Sequence, residues 1–173
     1  MEFHVNLWLH LLAFATYTGA TMALALICLP IARREQDPVH RLQFIAQCMR
    51  VYDPLSIGAL GVVVMTGAFR LTAFKAALRS TFFDQIGRVL VWKLLFTFIL
   101  INLATYVAFG IGHRLAATSS ASVNAAWLDS LLSRLRTSLL IALLLIAIIV
   151  WIALAMHPRL PSTADPTVPG ALR

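Results

Sequence analysis

Thirty consecutive residues, 3–32, contain no Lys, Arg, Asp or Glu. A helix needs about 20 apolar residues to cross the ~30 Å hydrocarbon core of a bilayer, so this run is long enough to span one. It is too long for the apolar region of a signal peptide. Met1–Asn6 also lacks the basic residues that precede such a region; the run reads as a retained transmembrane helix. Three further segments qualify, giving expected spans at about 7–29, 54–74, 90–110 and 139–157. The second is interrupted only by Arg70 near its end, and the third carries Lys93 in its first turn. No segment alternates polar and apolar residues as a membrane β-strand does. The expected fold is all-α: an up-down transmembrane four-helix bundle forming one domain, 1–157. The tail 158–173, with Pro158, Pro161, Pro166 and Pro169, reads as irregular.

Composition agrees. The chain is 60% hydrophobic and 12% charged, half the ~25% charged content of a soluble domain. The net charge of +7 would suggest nucleic acid in a soluble fold. Here the basic residues flank apolar runs, where they set topology and meet lipid head groups. The bilayer is the expected partner and nucleic acid is not. Cys28 and Cys48 form no CxxC pair and read as small apolar residues.

Two amphipathic stretches lead into spans. In 42–52, Leu42, Ile45, Met49 and Tyr52 recur at helical spacing; in 125–136, Trp127, Leu128, Leu131, Leu132 and Leu135 do the same. Both predict helix beyond the membrane. Asp53-Pro54 then marks either a helix start, with Asp53 as cap, or a proline in one long helix. Arg33-Arg34 after the first span favours termini outside, on the periplasmic face of a bacterial inner membrane, with loops one and three inside. Trp8, Trp92 and Trp151 fall in one membrane half, as an aromatic belt does. Gly19 and Ala23, Gly58 and Gly61, and Ala104 and Ala108 are the small-residue pairs expected at helix contacts.

Polar groups in hydrocarbon are expensive and are the default functional candidates. His10, Tyr17, Thr21 and Cys28 are spaced by 7, 4 and 7 residues, so they share one stripe of the first helix, expected to face the interior. His10 is either an interfacial histidine bonded to a neighbour or a ligand for haem iron or copper. Antiparallel packing places Arg70, Lys93, Met156 and His157 in its membrane half and His113 on the far side. Met156 and His157 are candidate copper partners of His10. Arg70 and Lys93 either snorkel to head groups or hold an anionic group such as a haem propionate, with Asp84 as a further partner. His4 adds to the same end, and His40 reads as a loop residue. Asn102, Thr105 and Tyr106 form a polar patch read as interhelical hydrogen bonding. No GxSxG, HExxH, P-loop or GxGxxG motif occurs.

Three stretches carry a resemblance. They are His10-Leu11-Leu12-Ala13 followed by Gly19; Tyr52-Asp53-Pro54-Leu55 through Met65-Thr66-Gly67-Ala68-Phe69-Arg70-Leu71; and Gly87 through Trp92-Lys93-Leu94, on to Tyr106 and His113-Arg114. The pattern resembles the copper resistance D family and its relatives, the HemJ-type protoporphyrinogen oxidases. The resemblance implies a four-helix membrane fold, haem b on a first-helix histidine matching His10, and a third-helix lysine matching Lys93. For the copper resistance relatives it implies copper handling at the inner membrane. It leaves a second axial ligand unassigned, since Asn102 and Tyr106 stand in helix three, and so does not assign protoporphyrinogen oxidase activity. A cofactor-free accessory subunit of a larger membrane complex is the alternative class. Transport is disfavoured, because the chain shows neither an internal repeat nor a pair of broken helices.

Overall fold

A computed structural model describes residues 2–78, 88–117 and 124–156. All but the short connection at 35–37 and Asn124 are helical, and there is no strand among the described residues. Helix α1 (Glu2–Ala23) continues through a π-helical stretch, Leu24–Cys28, into Leu29–Arg34. Helix α2 runs unbroken over Pro38–Leu78. Helix α3 (Arg88–Thr105) passes through a second π-helical stretch, Tyr106–Gly112, into His113–Ala117. Helix α4 covers Ala125–Met156. Each contains a segment long and apolar enough to cross a membrane. The chain is a multi-pass membrane protein.

The irregular turns have local causes. Pro30 has no N–H for the carbonyl four residues before it, and its ring crowds that carbonyl. The turn it would disturb is the one widened into the π-form. The second π-stretch contains Gly110 and Gly112, and glycine is, after proline, the residue that favours a helix least. In α2, Pro54 removes one backbone bond, yet the helix continues on both sides.

Helix α1 lies along α2, and α3 lies along α4. Two apolar clusters join the pairs. One, at the loop-one end, packs Leu29, Ile45, Ile111, Leu128, Leu132 and Leu135. The other, toward the termini, packs Tyr17, Leu60, Leu100, Leu145 and Ile149. Helix α4 supplies a continuous buried stripe, with Leu128, Leu132, Leu135 and Leu139 at most 1% exposed. Arg41 and Asp129 pair at the starts of α2 and α4. Both lead-in stretches are helical and continuous with their spans, as their periodicity predicts.

Several sequence expectations are corrected. Asp53 is not a cap; it sits fifteen residues inside α2. Gly19, Gly58 and Gly61 have open space where a Cβ would point, and Ala23 is exposed. The helices therefore meet elsewhere, at Gly67 and Gly112 among others. Ala108 does lie in the interior. Asn102 and Thr105 bond the carbonyls of Phe98 and Ile101 on their own helix and face outward with Tyr106. A hydroxyl or amide can satisfy itself on the turn before, so no partner helix is needed. His4 and His40 are both helical, and His40 meets Asp37 at 3.0 Å. Trp8, Trp92 and Trp151 all point outward, as a belt at the lipid surface requires.

Candidate functional site

The polar stripe of α1 faces the interior as expected: Tyr17 and Thr21 are buried, and His10 and Cys28 are half-buried. Its best-defined member is His10. The imidazole Nδ1 lies 2.8 Å from Thr66 Oγ1, across the α1–α2 contact. One residue further along α2, a Cβ on Gly67 would stand 3.7 Å from His10 Cε1. Asn6, one turn before His10, donates its Nδ2 to the Thr66 carbonyl at 3.3 Å. Two residues of α1 thus grip one position of α2.

The direction of the His10 bond follows from the Thr66 hydroxyl. That group has a single proton. Its oxygen lies 2.6 Å from the Val62 carbonyl and 3.2 Å from that of Val63, neither of which can donate. With its proton directed to the nearer of those carbonyls, at 2.6 Å, Thr66 Oγ1 accepts from His10. Nδ1 therefore carries the ring N–H, and a neutral ring holds its lone pair on Nε2. This is the arrangement of a ligating histidine, whose second nitrogen donates to a neighbouring oxygen that fixes tautomer and ring plane.

The sequence singled out His10 but missed both partners. Thr66 is 4% exposed, and its hydroxyl is a polar group in a run of Val, Met and Ala. It could have been found as the residue facing His10 at the same depth in an antiparallel pair. Lys93 lies in the early turns of α3 and is half-buried. Arg70 follows Thr66 by one helical turn. The side chains of Arg70 and Met156, all of His157, loop two with Asp84, and the tail lie outside the described residues. His113 belongs to the other end of the bundle, beside Gly112 and the level of Asp53. Thirteen residues of α2, roughly 20 Å, separate that level from Thr66 and His10.

Deeper along the stripe, Thr21 donates to the Tyr17 carbonyl and lies 3.4 Å from the Tyr52 hydroxyl. The Tyr17 hydroxyl is buried with no hydrogen-bond partner among the described residues. No three His, Cys, Asp or Glu side chains converge as a metal site among the described residues. Searches against protein-family models, characterised proteins and solved structures find no match to this chain.

Proposed function

We propose that this chain is an inner-membrane protein that holds a b-type haem through Nε2 of His10. The observation that supports the reading is the Thr66 hydroxyl, which keeps the His10 N–H on Nδ1. A bare copper ion needs several protein donors, and the candidates beside His10, the Met156 side chain and His157, lie outside the described residues. A haem would bring most of the iron's ligands with it, and His10 is the described residue that would hold it. Bound there, it would supply one-electron chemistry inside the membrane. Lys93 and Arg70 are the basic residues at this end that would hold its carboxylates. The termini would lie on the periplasmic side, since Arg33 and Arg34 close the first span.

The test is purification in mild detergent from cells supplied with iron and copper, followed by oxidised and reduced absorption spectra and metal analysis of one sample. A stoichiometric b-type spectrum that His10→Ala abolishes, in a protein that still elutes as a single species, is the expected result. Copper without haem would move the site to His10 with Met156 and His157. Neither metal, with a stoichiometric partner protein co-purifying, would replace the reading by the accessory-subunit one.

A further inference from the structure

A second polar site lies roughly 20 Å along α2 from Thr66 and shares no residue with His10. Asp53 lies inside the apolar helix 38–69, which is long enough to cross a membrane. Its level on α1 is given by the neighbouring Tyr52, which meets Thr21, thirteen residues before Arg34, roughly 20 Å of helix. An ionisable residue at such depth is costly and marks a functional site by default. Asp53 Oδ1 is fully buried and has no hydrogen-bond partner among the described residues. Oδ2 faces Gly112 on α3 so closely that a Cβ there would collide with it. Gly112 closes the π-helical stretch Tyr106–Gly112, and π-turns recur at functional sites. The extra residue of that turn and the missing side chain together give the carboxyl its place.

The carboxyl borders a cavity of about 450 Å³ between α2 and α3. Most of the lining is apolar, including Leu42, Ala46, Ile57 and Phe109. Gln43 and the exposed Arg50 and His113 also line it. This is the size and make-up of a small-molecule site, apolar walls with a few polar groups that fix orientation. A carboxylate accepts hydrogen bonds and donates none. As a residue lining the cavity, an ionised Asp53 would take a donor from a ligand held there. We infer that this cavity binds a membrane-dissolved molecule with an apolar body and a hydrogen-bond-donating head, a hydroxyl or an ammonium group, which Asp53 receives. Arg50 and His113 line the same cavity from its exposed residues, where a second polar atom of the ligand would meet them.

Equilibrium binding to the detergent-purified protein tests this, with two donating probes, decyl-hydroquinone under argon and decylammonium. Their non-donating counterparts, the O-methylated hydroquinone and decyltrimethylammonium, serve as controls. Saturable one-to-one binding of at least one donating probe is expected, weakened roughly 10- to 100-fold by Asp53→Leu, as loss of a hydrogen bond to a charged group predicts. Ala46→Trp, which fills the cavity and leaves the carboxyl in place, should abolish binding and decides the matter if Asp53→Leu does not fold. Thr105→Ala, on an outward face, should leave it unchanged. Binding of the hydroquinone alone identifies a neutral hydroxyl head; binding of the amine alone identifies a cationic one. The inference is overturned if neither donating probe saturates, if the non-donating probes bind as tightly, or if both cavity variants bind like the natural chain.

Discussion

Replacing Thr66 with Val removes one oxygen and almost no volume, which isolates what the hydroxyl does for His10. Thr66 is 4% exposed, so no water replaces the lost acceptor. The bond from Thr66 to Val62 is local and its loss costs little, because helical carbonyls already hold their backbone partners. The cost falls on the imidazole. With Nδ1–H lacking its acceptor, the ring bears an unsatisfied donor, a penalty of about 1–3 kcal/mol. The ring escapes it by moving its proton to Nε2, which takes away the lone pair a ligated iron needs. Either route should lower haem affinity ~10- to 100-fold, the usual effect of losing the partner of a ligating histidine. Thr66→Ser should restore it. Haem titration of the apo-protein measures the affinity, and ¹⁵N spectra of histidine-labelled apo-protein read the tautomer without any cofactor. His10→Ala assigns the resonance among the five histidines. The natural chain should show the Nδ1–H form and Thr66→Val should lose it. A Thr66→Val protein with unchanged tautomer and unchanged affinity would refute the reasoning.

Other substitutions follow from the packing. Gly67→Ala should keep the His10 spectrum, since its Cβ meets Cε1 at an ordinary 3.7 Å; Gly67→Leu should displace the ring and weaken haem binding more than tenfold in the same titration. Tyr17→Phe should raise thermal stability by about 1 kcal/mol or more, because the hydroxyl it removes is buried without a described partner. Leu132→Ala should lower stability in denaturant titrations by roughly 2 kcal/mol, the low end for a buried leucine. The unfolded reference in detergent is itself apolar, so lost packing remains while the water-transfer share shrinks.

How much of this was legible in the sequence depended on the kind of signal. Hydropathy gave all four helices, because spanning length is a property of composition along the chain. The stripe from His10 to Thr21 was legible too, since 7- and 4-residue steps hold a face over several turns. Gly19, Gly58 and Gly61 misled, since small size permits a helix contact without requiring one. Asn102 and Thr105 misled in a similar way: they had a partner on their own helix. The continuity of α2 through Pro54 was an open choice in sequence, and it decides whether Asp53 caps a helix or stands inside one. The partners Thr66 and Gly112 depend on which residues face one another across two helices. One chain of letters does not carry that register.

The π-helical stretch of α3 has a consequence for the spacing of the chain. A π-turn holds one residue more than the α-turn it replaces, so Tyr106–Gly112 behaves as a one-residue insertion absorbed within a helix. Deleting a single residue there would let the helix close to ordinary α-geometry without shortening the span below membrane length. Because the wide turn absorbs the extra residue, the residues on its two sides would keep their faces toward α2 and α4. The same deletion in the regular part of α3, between Arg88 and Thr105, has no wide turn to close and would rotate everything beyond it by about 100°. Tolerance of a shortened chain is therefore concentrated in one turn of this helix, the turn that stands opposite Asp53.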